Sequence, residues 1–330
     1  MASSLGGVAA PAEGRSGDAR VGRIRISLWI VVALGVVLPL LAAPALTENL
    51  SFSFYLMLWI ILCTSFNLVA GFTGYMPFGY VAFYGVGAYA TGVLHKTYGL
   101  PMPGALVCAA LAGAAVSLLL APTLRLKGVY FGIVSLALAV IFRLVVSMLP
   151  EDITGGSMGL ILARANDPQT TYYVTVAVLA ACLAAAGWLA FSRTGVALRA
   201  VRDDADAAAI VGIDVTRTRL KAWVLAATFP AVVGGLEAWY TNAIDPEASF
   251  NILVTAKVIV YSMAGGLGTL LGPVLGAGAL YGIDHLIWQK FPVLNLMFLG
   301  IIIMVMILVF PRGLVGSFAQ RFPLLRRYIP

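Results

Sequence analysis

Long apolar runs separated by short polar stretches make up most of this chain. A helix that crosses a bilayer needs about 20 predominantly apolar residues, and about ten runs approach that length. These runs lie at 26–46, 52–70, 75–94, 104–123, 128–149, 172–191, 222–242, 252–264, 270–289 and 293–310. The run 252–264 is short for a hydrocarbon core of about 30 Å, so whether it spans the membrane or re-enters as a half-helix stays open. The pattern predicts an all-α integral membrane protein with about ten transmembrane helices.

The composition supports this fold class and excludes a soluble enzyme. Of the 330 residues, 61% are hydrophobic and only 11% are charged, whereas globular proteins average about 25% charged residues. The net charge of +7 does not indicate nucleic-acid binding, because the basic residues border apolar runs as the positive-inside rule requires. Cys63, Cys108 and Cys182 lie inside apolar runs without metal-ligand or disulfide spacing. Neither a metal site nor a cofactor is therefore expected.

The distribution of basic residues predicts the topology. Lys and Arg collect in residues 1–25, in the loop 124–127, in the loop 192–221 and near the C-terminus. An even number of crossings places all four on one side, so both termini are predicted to be cytoplasmic. We divide the chain into a disordered cytoplasmic tail (1–25), a membrane domain (26–312) and a basic C-terminal tail (313–330). The first run also resembles a signal peptide, but its length favours an uncleaved helix.

Helix-breaking residues interrupt two apolar segments, Asn67–Gly79 and Tyr261–Pro273. Non-helical backbone at membrane depth is tolerated where it is buried in protein or lines a wet cavity, and a matched pair of such segments points to a transport pathway. The alternative is close helix packing, because Gly268, Gly272 and Gly276 repeat at helical spacing. The residues assigned to the pathway are Asn67, Gly71, Gly74, Tyr80, Phe83, Tyr84, Gly265, Gly266, Gly268 and Thr269.

The loop 192–221 is the longest charged segment. Asp203 and Asp204 are acids that favour a helix N-terminus, alanines follow them, and Gly212 suits a helix end. The segment 192–214 is therefore predicted to form a short surface helix that docks into a groove on a cytosolic partner. The alternative is a solvated linker.

A few ionisable residues lie inside the predicted spans, and such residues mark functional sites by default. They are Arg143, Glu237, Lys257, Asp284 and His285. Lys257 and Glu237 have opposite charges and are one candidate ion pair. A deep acidic relay, which proton-coupled carriers usually need, is not evident.

The pentapeptide 155–159, Gly-Gly-Ser-Met-Gly, fits the GxSxG pattern of serine hydrolases. A serine nucleophile needs a base, and His95 and His285 are the two histidines of the chain. Because the strand-turn-helix context is missing from the pattern, a glycine-rich turn in an external loop is the favoured interpretation. The sequence also lacks a phosphate-binding glycine-rich loop, so nucleotide hydrolysis would belong to another chain.

A series of motifs carries a resemblance to a known family. They are Asn67-Leu-x-x-Gly71-x-x-Gly74-x-x-x-x-Gly79-x-x-x-Phe83-x-Gly85-x-Gly87-Ala88-Tyr89, Leu124-Arg-Leu-Lys-Gly128-Val-Tyr130-Phe131, Thr154-Gly155-Gly156-Ser-Met-Gly159-Leu160, Ser192-Arg-Thr-Gly195-Val-Ala-Leu198-Arg199-Ala-Val-Arg202-Asp203 and Gly265-Gly266-Leu-Gly268-Thr-Leu-Leu-Gly272-Pro273. In this order they resemble LivM/LivH-type permeases of branched-chain amino acid ABC importers. The resemblance covers about residues 50–312 of the chain. It is nearer to the LivM branch than to the LivH branch.

The resemblance implies a non-catalytic subunit of the bacterial inner membrane, with a fold similar to the ten-helix cobalamin-importer (type II) ABC permease. It implies as partners a second, LivH-like permease subunit, two cytosolic ATP-binding subunits and a periplasmic solute-binding protein, with a small-molecule solute. The residues that would couple to the ATPases are Arg199, Arg202, Asp203, Asp204, Ala208 and Gly212. The residues that would lie on the binding-protein side are Thr154, Gly155 and Gly156.

The chain departs from the family's pattern at Tyr75, Pro77 and Tyr80, where polar residues are common. The bulky aromatic residues here suit a partly apolar solute, so branched-chain or other hydrophobic amino acids are expected. Urea, short amides or aromatic acids are the alternative for the same importer class. A stand-alone secondary carrier or channel is a more remote alternative.

Overall fold

The computed structural model describes residues 13–46, 50–126, 128–162 and 168–291, together with 294, 297–298, 300–301, 304 and 313–315. This part of the chain is almost entirely helical. The helices are α1 (Glu13–Leu46), α2 (Ser51–Thr73), α3 (Val81–Tyr98), α4 (Met102–Leu119), α5 (Val129–Met148), α6 (Glu151–Thr154), α7 (Pro168–Phe191), α8 (Arg193–Asp203), α9 (Ala205–Ile210), α10 (Val215–Thr241), α11 (Pro246–Ser249), α12 (Ile252–Gly265) and α13 (Leu271–Lys290). The strands are β1 (Leu160–Ile161) and β2 (Ala243–Ile244).

Seven segments of the described chain are long and apolar enough to cross a membrane. They are Ile26–Pro44, Ser51–Thr73, Met102–Leu119, Val129–Met148, Pro168–Phe191, Val215–Thr241 and Pro246–Gly265. The last joins α11 and α12, so the short run at 252–264 reaches spanning length with the help of the helix before it. The protein is therefore an all-α, multi-pass membrane protein, as predicted.

Several boundaries differ from those predicted. The segment assigned to 75–94 becomes helical only at Val81, and α3 and α13 are helices that do not belong to the seven apolar segments. Most of the run 293–310 lies outside the described residues. α1 begins at Glu13, within the tail predicted to be disordered, because extending an existing helix costs far less than starting one. Residues 1–12 and most of residues 313–330 also lie outside the part of the chain that the structure describes.

α2 is the central helix of the bundle. It contacts α7, α10, α12 and α13, and most of its side chains are buried. α10 packs in turn against α3 and α4, and α13 packs against α12. Both segments that carry helix-breaking residues are therefore attached to helices that meet at α2.

A small two-stranded unit joins the segment between α5 and α7 to the end of α10. Leu160 of β1 pairs with Ile244 of β2 in an antiparallel register, and the Leu162 N–H donates to the Asn242 carbonyl at 2.9 Å. Ser157 of the pentapeptide 155–159 lies in a 3-10 turn and not in a strand-turn-helix elbow. The prediction of a glycine-rich turn is confirmed.

The packing of α13 against α12 is tight at one glycine and open at another. A Cβ at Gly276 would lie 2.0 Å from the Tyr261 carbonyl oxygen, whereas a Cβ at Gly278 would have nothing within 4 Å. We expect Gly276→Ala to lower the melting temperature of the purified protein in detergent, because overpacking costs about 1–3 kcal/mol. Gly278→Ala, on the same helix, should not lower it. Equal melting temperatures for the two variants would contradict the close contact.

Candidate functional site

The first broken segment starts where α2 ends. Gly74 has φ +76°, a left-handed conformation that closes the last turn of α2 and that glycine adopts without strain. The chain then stays non-helical until Val81. Side chains of neighbouring helices accept hydrogen bonds from the backbone N–H groups that lead into α3. Gly79 N–H donates to Ser135 Oγ at 3.2 Å, and Val81 N–H donates to Thr255 Oγ1 at 3.0 Å. The first break is thus fixed by α5 and α12.

The second broken segment, residues 266–270, connects α12 to α13. Gly266 N–H donates to the Ser262 carbonyl at 3.0 Å. Thr269 Oγ1 donates to the Gly266 carbonyl at 2.8 Å and accepts from Gly272 N–H at 3.0 Å. The threonine side chain therefore replaces backbone partners that a continuous helix would have supplied.

Asn67 joins the second break to α2, the helix that leads into the first break. Its Nδ2 donates to the Thr269 carbonyl at 2.9 Å, and its Oδ1 accepts from Gly268 N–H at 2.8 Å. One turn further along α2, a Cβ at Gly71 would lie 2.6 Å from the Gly268 nitrogen. The buried Asn67 amide and the absence of a side chain at Gly71 let the second break lie directly on the last turns of α2. The second break and the end of α2, where the first break starts, form a single structural unit, called the paired break below.

Arg202 links this paired break to the charged helix α8. Its Nη1 donates to the Gly71 carbonyl, and a Cβ at Gly268 would lie 2.5 Å from the same nitrogen. The guanidinium group therefore lies against the last turn of α2, next to the first break, and against the second break at once. Because α8 belongs to the loop 192–221, a movement of that loop acts on the paired break through one side chain.

Two further arginines stack on aromatic rings at this end of α2. The Arg219 guanidinium carbon lies 4.4 Å from the centre of the Tyr75 ring, and that of Arg199 lies 5.9 Å from the centre of the Phe72 ring. These distances suit cation–π contacts. Together with Arg202 they place three positive charges around the end of α2.

The loop after α7 forms two helices, α8 and α9, and not one. Asp204 interrupts them, and its Oδ1 accepts from Asp206 N–H at 2.9 Å and Ala207 N–H at 3.0 Å, so it caps the N-terminus of α9 as its residue type predicts. Gly212 has φ +88° and lies just after α9. The prediction of an ordered surface helix is confirmed in this divided form, and the solvated linker is excluded.

The outward face of α9 differs from the predicted one. Ala208 is only 4% exposed, so it packs against this chain and does not face outward. Ile210 and Val211 are 86% and 76% exposed. Arg199, Asp203 and Asp204 are exposed as expected. The sequence contains a signal for this face, because Ile210 and Val211 are two large apolar residues inside a charged loop. Whether such side chains point outward depends on the rotation of the helix about its axis, which the sequence does not show.

The aromatic residues assigned to the pathway separate into two environments. Tyr80 and Phe83 are packed in the interior, where Tyr80 Oη bonds with Ser65 Oγ and Phe83 meets the Trp223 ring edge-on. Tyr84 instead lines a cavity of about 250 Å³ together with Glu237.

Lys257 pairs with Asp284 and not with Glu237. Its Nζ lies 2.8 Å from Asp284 Oδ2. The arrangement considered from the sequence, Lys257 with Glu237, is wrong because α12 and α13 are adjacent arms of one hairpin, whereas Glu237 on α10 lines the separate cavity.

The turn 154–159, predicted to be external, is shaped by Thr154 and Gly156, which are buried, and by the half-buried Gly155. Thr154 Oγ1 donates to the Val146 carbonyl at 3.2 Å and accepts from Gly156 N–H at 3.3 Å. A Cβ at Gly155 would lie 1.8 Å from the carbonyl oxygen of Gly159. These residues fold the turn, while the apolar side chains of Met158 and Ile161, which the sequence analysis did not single out, project from it.

The paired break, the charged helix joined to it and the motifs that form them can be compared with known proteins. Residues 49–310 match the family described as branched-chain amino acid transport system / permease component. The chain belongs to this family. Its sequence resemblance to LivM/LivH-type permeases is thereby confirmed over most of its length.

Two relatives are LivM proteins, each named as a high-affinity branched-chain amino acid transport system permease protein. That of Salmonella typhimurium is 29% identical over 290 residues, and that of Escherichia coli is 28% identical over 290 residues. Both alignments cover 78% of this chain and 68% of the relative. The probable LivH permease of Methanocaldococcus jannaschii is 31% identical over 94 residues, or 28% of this chain and 29% of that protein. No solved structure matches the chain.

The bridging role of Asn67 can be tested by removing its amide. Asn67→Ala leaves Gly268 N–H and the Thr269 carbonyl without their partner, at a cost of about 1–3 kcal/mol for each buried group. We expect a cysteine introduced at Leu267, in a chain lacking its three native cysteines, to react faster with a maleimide in the Asn67→Ala background. Ser147→Ala, which removes a hydrogen bond made within one helix, is the control and should leave the rate unchanged. Identical rates in all backgrounds would mean that Asn67 does not hold the second break.

Proposed function

We propose that this chain is a permease subunit of a binding-protein-dependent ABC importer that translocates branched-chain or other hydrophobic amino acids. The family of the chain and the LivM names of its relatives support this proposal. The expected partners are a LivH-like permease, two cytosolic ATP-binding subunits and a periplasmic solute-binding protein. This chain contributes contacts and movement, and ATP hydrolysis takes place on the partner subunits.

The observation that carries the mechanism is the contact of Arg202 with Gly71 and beside Gly268. It joins a surface helix to the place where two broken membrane segments meet. A helix that only anchored a loop would not need to reach the last turn of α2 and the second break together. The contact supports α8–α9 as the coupling segment and the paired break as the gate on its side of the membrane.

Transport then proceeds by alternating access. The loaded binding protein docks on the external turn, where Thr154, Gly155 and Gly156 hold the fold and Met158 and Ile161 project. ATP closes the ATPases and moves α8–α9, and Arg202 transmits the displacement to the paired break. The contacts of α8–α9 must differ in energy between the ATP and ADP states, because a partner with equal affinity for both conformations shifts no equilibrium.

The finer architecture belongs to the same proposal. We infer about ten crossings, both termini in the cytoplasm, an inner-membrane location and a fold similar to the type II ABC permeases. Basic residues around the end of α2 and in α8 support this orientation through the positive-inside rule. The solute path then runs beside the paired break, with Asn67, Gly74, Gly265, Gly266 and Thr269 at its inner end.

Reconstitution separates this proposal from a secondary carrier. In proteoliposomes that contain both permeases and the ATPases, uptake of leucine should require internal ATP and external binding protein. Uptake driven by an ion gradient without ATP would replace the importer by a carrier. ATP-dependent uptake of urea, a short amide or an aromatic acid in place of leucine would keep the importer and change its solute.

Arg202→Ala should uncouple hydrolysis from transport. The loss of a hydrogen bond to a charged group, worth about 1.5–3 kcal/mol, is expected to reduce uptake about tenfold to a hundredfold. The ATPases should remain bound and retain basal hydrolysis. Arg193→Ala removes an equal charge from an exposed position of the same helix and is the matched control. Unchanged uptake in correctly inserted Arg202→Ala would contradict the transmission through this side chain.

Ile210→Glu should instead weaken the binding of the ATPases. Burying an exposed isoleucine contributes about 1.5–3 kcal/mol, so its replacement by a charge is expected to weaken ATPase association about tenfold or more, measured by copurification at graded concentrations. Ile161→Glu, an equally exposed position on the external turn, should leave the association intact. Normal copurification with Ile210→Glu would show that the outward face of α9 is not the docking surface.

A further inference from the structure

Two apolar grooves run along the surface of α7, one on each side of Trp188. The first, of about 520 Å³, lies between α1 and α7, and the second, of about 500 Å³, lies between α4, α7 and the first half of α10. Trp188 lines both grooves and is 66% exposed. All four helices contain apolar spanning segments, so the grooves face the membrane. We call them the twin grooves.

The first groove has the depth of one leaflet of a bilayer. Its α1 wall runs from Ile26 to Val37, which is about 17 Å at a rise of about 1.5 Å per residue. Half of a hydrocarbon core of about 30 Å is about 15 Å. Apart from Ser192 at its end, the lining residues of this groove are apolar. The groove therefore suits an acyl chain, because an unfilled gap would forfeit dispersion contacts.

The second groove carries one positive charge that lacks an acidic partner. Lys221 lines this groove and forms no ion pair within the described part of the chain. Its basic neighbours on α10 have other contacts, since Arg217 pairs with Asp214 at 3.1 Å and Arg219 stacks on the Tyr75 ring. A lysine at the edge of a spanning segment directs its ammonium group to the headgroup layer, where lipid phosphates are the available anions.

Trp188 and Lys221 lie at the same end of the grooves. Trp188 lies three residues before α7 ends at Phe191, and tryptophan is enriched where spanning helices meet the headgroups. Lys221 lies six residues after α10 begins at Val215. Both are therefore close to the helix ends that the loop 192–221 connects. The aromatic and the basic side chain independently indicate that this end of the grooves is at the headgroup level.

We propose that the twin grooves bind one anionic phospholipid from the leaflet that borders the loop 192–221. Its two acyl chains lie on either side of Trp188, and its phosphate contacts the Lys221 ammonium group and the Thr194 hydroxyl group, which line the same groove. A helix of a partner protein fits less well, because it would have to carry its own acidic group at this depth, and such groups are rare in spanning segments.

The site lies where the charged loop leaves and re-enters the membrane. Thr194 belongs to the first turn of α8, and Lys221 is at the other end of the loop. A phosphate between them joins the two ends of the segment that carries α8 and α9. The bound lipid thus holds the base of this segment in place. The binding requires neither solute nor ATP, so its test does not depend on the proposed function.

Brominated lipids test the site directly, since bromine in an acyl chain quenches the fluorescence of a tryptophan that it contacts. We would reconstitute the purified full-length chain into phosphatidylcholine vesicles with increasing mole fractions of brominated phosphatidylglycerol or brominated phosphatidylcholine. The quenching that Trp188→Phe removes is assigned to Trp188. It should reach half of its maximum at a mole fraction about fivefold lower with brominated phosphatidylglycerol, the effect of one basic residue near anionic lipid.

Variants of both grooves assign the contacts. Lys221→Met should abolish the preference for phosphatidylglycerol, whereas Lys221→Arg should keep it because the charge remains. Lys290→Met, which removes another exposed lysine at the end of α13, is the matched control and should keep it as well. Ala184→Phe fills the first groove and should weaken the quenching by brominated phosphatidylglycerol. Ala181→Phe, an exposed position of α7 that lines neither groove, should leave the quenching unchanged.

Three results would overturn the site. Equal quenching of Trp188 by the two brominated lipids would mean ordinary contact with bulk lipid. A preference for phosphatidylglycerol that Lys221→Met leaves intact would mean that the phosphate binds elsewhere. Failure of both lipids to quench Trp188 would mean that a protein segment, such as a second copy of the chain, covers the twin grooves.

Discussion

Backbone N–H and C=O groups inside a bilayer must find partners within the protein, since water is not there to replace them. This chain interrupts its helices twice and so creates unsatisfied groups at two places. At the second of them, Asn67 bonds both the Gly268 N–H and the Thr269 carbonyl with a single amide. The close approach at Gly71 follows from the same contact, because only a residue without a side chain lets α2 and the second break meet.

The remaining features of the site are arranged around this contact. Arg202 reaches the paired break from α8, so the charged surface segment and the broken helices form one connected unit. The α12–α13 hairpin is held at its turn by Asn67 and across its arms by Lys257 and Asp284. Tight packing at Gly276 keeps the arms together between these points. Displacement at one end of the hairpin is therefore transmitted to the other by packed, rigid elements.

Much of the fold was accessible from the sequence because its signals are local. Apolar runs of spanning length predicted most of the helices, and glycine and proline located both breaks. The helix after the first break was predicted to start too early, at residue 75 and not at Val81, since Tyr75 and Phe78 are apolar enough to pass for helix. The run 252–264 was too short by itself, and only the structure adds the preceding residues 246–249 to it.

The sequence by itself determined that this is a polytopic helical membrane protein with two broken segments and a charged surface segment, because hydropathy, glycine and charge act locally. Only the tertiary structure decided that Asn67 bonds a residue 201 positions away, that Lys257 pairs with Asp284, and that Ile210 faces outward while Ala208 is buried. These outcomes depend on the rotation and packing of whole helices, which the order of residues along one helix does not specify.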